Sequence, residues 1–212
     1  MNALILVDLQ NDFMPGGALP VAEGSAVVPV ANGLMPLFDL VVATQDWHPT
    51  DHLSFASQHR SRRVGDVIEL AGLPQVLWPN HCVAGSPGAE FHADLNTTGI
   101  HRVFRKGTDR TIDSYSGFFD NGQRQATGLG DFLKQQGVTD VYILGLATDY
   151  CVKFTALDAV HLGFTTHLVA DGCRGVELQT GDVERSISEM RAAGVHMTSS
   201  HEIRAQRAAP AE

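Results

Sequence analysis

The chain is expected to fold as a three-layer α/β/α domain around a central, mostly parallel sheet of six strands. Three features point there. Short apolar runs alternate with amphipathic stretches, glycine closes three of those stretches, and chemically capable polar residues stand where the apolar runs stop. Repeated β–α alternation means parallel strands joined by right-handed crossovers, with helices on both faces of the sheet.

Residues 3–7 read as the first strand, because a short unbroken apolar run suits a strand buried on both faces. An irregular stretch, 13–24, carries Pro15-Gly16-Gly17, and helical periodicity then runs over 25–38. Residues 40–43 form the second strand. The segment from about 46 to 101 is far too long for an ordinary βα connection and is rich in His, Pro, Gly and Ser. Loops of that length inside a compact domain are usually functional, so it is expected to be a metal-binding or lid insertion. Strands at 102–105, 141–146, 166–169 and 196–198 follow, with helices over 127–136, 150–162 and 182–193. Gly137, Gly163 and Gly194 stand where a left-handed residue ends a helix. Residues 1–203 make one domain without repeats or linker, and 204–212 are expected to be a frayed C-terminal tail.

Composition excludes several classes. A net charge of -9 over 212 residues argues against a nucleic-acid or membrane surface as partner. The one basic cluster, Arg60, Arg62 and Arg63, reads as a solvated loop. Three cysteines without paired spacing do not make a disulfide framework. The N-terminus lacks a basic region ahead of its apolar run, and no stretch is long enough to span a bilayer. A soluble cytoplasmic protein is expected. There is no Gly-x-Gly-x-x-Gly or P-loop, so no organic cofactor is indicated, and no Gly-x-Ser-x-Gly elbow of a serine hydrolase.

Cys151 follows the apolar run Val141-Tyr142-Ile143-Leu144-Gly145-Leu146, in the first turn of a helix whose expected cap is Thr148 or Asp149. Ligand sites of open α/β sheets lie at that edge, and a helix N-terminus favours thiolate over thiol. The segment alone supports equally a nucleophile and a small residue packing the helix on the sheet. Asp8, Asp46 and Lys106 also stand at strand ends, which converge on one edge of a doubly wound sheet. In extended backbone Asp46 and His48 point to the same side, and His81 and His52 are candidates for a further ligand. Two imidazoles and a carboxylate suit zinc, iron or manganese, although Asp-x-His by itself is a weak signal.

Taken together, Val7-Asp8-Leu9-Gln10-Asn11-Asp12-Phe13, Gln45-Asp46-Trp47-His48-Pro49, Trp78-Pro79-Asn80-His81-Cys82, Arg105-Lys106-Gly107 and Gly145-Leu146-Ala147-Thr148-Asp149-Tyr150-Cys151-Val152 resemble the nicotinamidases, a branch of the isochorismatase-like cysteine hydrolases. The motifs occur in the family's order and span most of the chain. The resemblance implies a catalytic triad of Asp8, Lys106 and Cys151, and one divalent metal ion on Asp46, His48 and His81, with His52 as a candidate extra ligand. It further implies a pocket walled by Phe13, Leu19, Trp78, Ala147 and Tyr150. A cis Leu146–Ala147 peptide is implied as well, with an oxyanion hole from the N–H groups of Ala147 and Cys151. The implied reaction is hydrolysis of nicotinamide, and of pyrazinamide, through a cysteine thioester. The rivals are another hydrolase of the superfamily, such as a carbamoyl-amine hydrolase or an isochorismatase, the latter disfavoured by the cysteine and metal set, and a redox thiol protein, which no Cys-x-x-Cys or nearby resolving cysteine supports. The expected partner is a small molecule, with association of identical subunits (a homo-oligomer) left open.

Overall fold

In the computed structural model, which describes residues 1–208, the expected six-stranded sheet is present and wholly parallel. Its strands are β1 (Asn2–Val7), β2 (Leu40–Asp46), β5 (Arg102–Lys106), β6 (Asp140–Leu146), β7 (Thr165–Arg174) and β8 (His196–Thr198). A separate antiparallel hairpin, β3 (Val67–Leu70) and β4 (Leu73–Val76), lies between β2 and β5 in the chain. The α-helices are α1 (Val27–Leu34), α2 (Leu129–Gln135), α3 (Lys153–His161), α4 (Asp182–Ala192) and α5 (Ser200–Ala208). Among the described residues no helix is long and apolar enough to cross a membrane.

The order across the sheet is β5-β2-β1-β6-β7-β8. From β1 the chain therefore builds outward one way through β2 and β5, and from β6 it builds the other way through β7 and β8. Crossovers between parallel strands are right-handed in nearly all proteins, so the reversal between β1 and β6 opens a crevice at their carboxyl ends. Every residue of β2, and all of β1 except Asn2, is buried, which is why β1 and the first four residues of β2 read as apolar runs, while β2 continues three residues beyond the expected Ala43. Gly145 sits beside Val7, where a Cβ would lie 2.1 Å from the Val7 carbonyl oxygen, so only glycine lets the two central strands approach here.

Several expectations need correction. The helix expected over 25–38 is α-helical only from Val27 to Leu34, with single 3-10 turns on each side, because Pro36 removes a donor and ends the regular ladder. Neither Thr148 nor Asp149 caps the helix after β6. A π-helical turn, Thr148–Val152, starts from an extended Ala147 and runs into α3, while the Asp149 carboxylate accepts from the Val176 and Glu177 N–H groups. β7 continues five residues beyond the expected Val169. Residues 204–208 of the expected tail belong to α5, which Ile203 buries against the core while Arg207 stacks over Phe38. Residues 209–212 of that tail lie outside the described residues.

Candidate active site

Four strand ends bring their polar residues together. Asp8 leaves β1 with a left-handed φ of 51° and is completely buried. The Thr44 hydroxyl on β2 donates to its Oδ1 at 2.6 Å. Asp46 and Lys106 end β2 and β5 and face each other in register. The Lys106 ammonium donates to Asp46 Oδ1 at 2.6 Å, to the Ser114 carbonyl at 2.9 Å and to Cys151 Sγ at 3.3 Å. It also forms an ion pair with Asp8 Oδ2 at 2.9 Å, an oxygen that takes no other hydrogen bond. The nearest ligand atoms of Asp8, Asp46 and Cys151 all fall within 4.8 Å of one another.

The charges are balanced closely here. Burial opposes the ammonium of Lys106, yet the Asp46 and Asp8 carboxylates outweigh it and hold its pKa well above the ordinary lysine value. Burial raises Asp8, and Lys106 only partly offsets this. Burial also drives the Cys151 thiol well above its ordinary value, with the Asp8 and Asp46 charges adding to the rise and Lys106 opposing it. Against the expectation that a helix N-terminus favours thiolate, burial here favours the thiol. One cation shared by two carboxylates favours the thiol over the thiolate, beside an Asp8 oxygen, ion-paired with Lys106, that can take the proton.

A second cluster joins this one through Asp46. His48 pairs by backbone with the 82–84 segment, its N–H donating to the Cys82 carbonyl at 3.0 Å and its carbonyl accepting from Ala84 at 2.8 Å. That bridge returns the insertion to its own start and sets His81 beside His48. Asp12 fastens the same turn by accepting the Cys82 N–H at 2.7 Å. The Nδ1 atoms of His48 and His81 each lie 2.8 Å from a backbone carbonyl, those of Gly107 and Pro79. A carbonyl can only accept, so each Nδ1 carries the proton and each Nε2 presents a lone pair. Both lone pairs face Asp46 Oδ2, at 3.5 and 3.8 Å, and His48 Nε2 is buried without a partner.

Burial and the neighbouring His48 push His81 down to about 4, so its lone pair is free at neutral pH. Burial opposes the acid form of His48, but the Asp46 charge outweighs it and raises His48. For Asp46 burial works upward, and Lys106 with the two imidazoles overrides it, leaving the carboxylate ionised well below its usual range. Acceptors without a donor among them fit a divalent cation, which would displace any proton on His48 Nε2.

His52 does not join that group. Its Nδ1 bonds the Ser54 hydroxyl at 2.7 Å, and its Nε2 faces the Ile112 carbonyl at 3.4 Å. It clusters with His48 and Asp113 instead. Gly107, directly after Lys106, has a φ of 64°, and a Cβ there would lie 2.3 Å from the His48 ring.

Above both clusters opens a cleft of about 350 Å³. Phe13, Leu19, Trp78, Ala147, Tyr150 and Cys151 line it, and so do Asp46 and His81. Trp78 meets Tyr150 edge-on at 4.9 Å, and the Leu146–Ala147 peptide is cis. Asp8 and Lys106 lie beneath the floor. Asp113, Tyr115 and Val176 also line the cleft, and none of them stands in a recognisable motif. The only sequence signal was their setting, in irregular segments just after β5 and β7.

A model of the isochorismatase domain matches residues 2–202 of the chain. The chain is 51% identical over 197 residues to the nicotinamidase of Escherichia coli (strain K12), covering 91% of this chain and 92% of that protein. Among solved structures, an Acinetobacter baumanii nicotinamidase and pyrazinamidase superposes with a TM-score of 0.93 at 44% identity, covering 95% of this chain and 97% of that one. A Pyrococcus horikoshii pyrazinamidase in complex with zinc gives 0.76 at 40% identity, covering 93% and 98%.

Proposed function

The chain belongs to the isochorismatase family, and from that premise we propose that it hydrolyses nicotinamide to nicotinate and ammonia, as a step of NAD salvage in the cytoplasm, and hydrolyses pyrazinamide likewise. One observation carries this most: the Cys151 sulfur lines an aromatic cleft and sits 3.3 Å from a lysine whose charge is shared with two carboxylates.

In this reading Cys151 attacks the carboxamide carbon while its proton passes to Asp8 Oδ2, the oxygen paired with Lys106. The tetrahedral oxyanion is met by the N–H groups of Ala147 and Cys151, and removing one such donor typically costs ~10²–10³ in rate. Asp8 returns the proton to the nitrogen, because an amine leaves far more readily than an amide anion. The C–N bond breaks, ammonia departs, and a thioester remains on Cys151. Asp8 then deprotonates a water that attacks the thioester, and the proton returns to sulfur as nicotinate leaves. Lys106 holds Asp8 in place and favours its ionised form each time it must accept a proton.

Asp46, His48 and His81 would hold one divalent ion (zinc, iron or manganese), a Lewis acid on the cleft wall suited to a pyridine nitrogen. Phe13 and Trp78 flank the flat ring. The test is ammonia release from nicotinamide and from pyrazinamide, with and without a chelator. Release that the chelator suppresses is expected, and a pure, metal-loaded protein that releases none would overturn the assignment.

A further inference from the structure

The aromatic wall of the cleft is tied to the hairpin by one side chain with no role so far. Gln75, on β4, is 3% exposed, and its amide nitrogen lies within hydrogen-bond distance of three acceptors. They are its neighbour's carbonyl at Val76 (2.8 Å), Asp113 Oδ2 (3.2 Å) and the Tyr115 hydroxyl (3.0 Å). The same hydroxyl accepts the Trp78 indole N–H at 3.1 Å. A phenol oxygen has two acceptor positions, and here one goes to Gln75 and the other to Trp78. Tyr115 and Trp78 both line the cleft, and both pack against Tyr150, at 5.4 and 4.9 Å between ring centroids. The amide therefore links three segments: the hairpin, the loop after β5 and the Trp78 turn.

We propose that Gln75 is a positioning residue that fixes the Tyr115–Trp78 wall, so that the hairpin sets how a flat ring is held beside Cys151. The proposal rests on the nicotinamide reading only for its kinetic assay. Gln75→Met keeps the volume and removes the donors. A loosened wall grips the ring less tightly in ground state and transition state alike without altering the sulfur, so KM for nicotinamide is expected to rise about tenfold while kcat stays within about twofold.

Two further measurements separate positioning from general damage. Iodoacetamide has no ring, and its alkylation of Cys151, in which the sulfur displaces iodide, should run within about twofold of the parent rate. The chain has two tryptophans, so a Trp47→Phe background isolates Trp78, whose quenching by acrylamide should increase in Gln75→Met. Tyr115→Phe removes the shared hydroxyl and should raise quenching likewise, and the double variant should add nothing to either single one. If Gln75→Met does not fold, Tyr115→Phe carries the quenching test alone. An unchanged KM, an equal loss of alkylation, or unchanged Trp78 quenching would overturn the proposal. A parent protein without nicotinamide turnover would sink the functional assignment instead, and quenching would still decide the role of Gln75.

Discussion

Two regions meet at the cleft, and they hold their polar groups by different means. At the sheet edge, Asp46 and Lys106 end strands, and Asp8 and Cys151 lie just past them, on backbone fixed by parallel ladders in a buried core. In the insertion, His48, Trp78 and His81 depend on side-chain bonds to carbonyls and on isolated bridges, such as His48 with Val83 and Phe55 with Trp78. Rigid ladders suit groups that must exchange a proton over fixed distances. Locally tied loops suit ligands that a bound cation would draw together. The contrast implies that loss of the Asp8 or Cys151 side chain should remove chemistry with the metal intact, and loss of His48 or His81 should remove the metal, Asp46 belonging to both regions.

Cys151→Ala gives the largest expected effect, a fall in kcat on the order of 10⁴-fold or more, with metal content unchanged. Metal analysis beside the turnover assay checks it, and equal metal loss there and in His48→Ala would erase the distinction between the regions. Lys106→Met strands the buried Asp8 and Asp46 carboxylates and should cost about 3–5 kcal/mol in stability. Denaturant melts would record that loss, and slower alkylation of Cys151 at neutral pH should accompany it, because the remaining carboxylates repel a thiolate. An unchanged alkylation rate would mean that Lys106 does not bear on the sulfur.

His48→Ala should abolish metal binding and reduce turnover on the order of 10²-fold. His52→Ala should retain the metal, since both His52 nitrogens are engaged elsewhere. Metal loss from His52→Ala would place that ring on the cation. The smallest effect is in the pH profile. Asp8 is needed as a carboxylate, and burial raises its pKa. Activity should therefore fall with decreasing pH at a value above the ordinary aspartate range of about 4. A limb at or below that range in kcat/KM would show that another group controls it.

The sequence made the sheet edge far more legible than the insertion. Buried parallel strands appear as apolar runs, so the residues that end them could be picked out, and Asp8, Asp46, Lys106 and Cys151 do converge. The hairpin was hidden because its four-residue strands are only partly buried and Pro74 interrupts the second. Gln75, Asp113 and Tyr115 could not be read from sequence, since their contacts join positions 38 and 40 residues apart across irregular backbone. His52 was visible as a residue, but its orientation depends on Ser54 and Ile112, which periodicity does not report. The balance of charge at Cys151 was misread for the same reason. Lys106 was plain, and the sharing of its ammonium between two carboxylates was not.

The missing side chain at Gly107 ties the two regions together. The His48 imidazole rests where a Cβ would stand, and its Nδ1 is anchored on the carbonyl of that same glycine. The insertion is thus keyed into the end of β5 like a peg in a notch, and cannot be exchanged as a module while the sheet stays as it is. A transplanted loop would have to present a flat ring at the same depth. Even one added methyl group, as in Gly107→Ala, should unseat the imidazole while leaving every reactive side chain in the sequence.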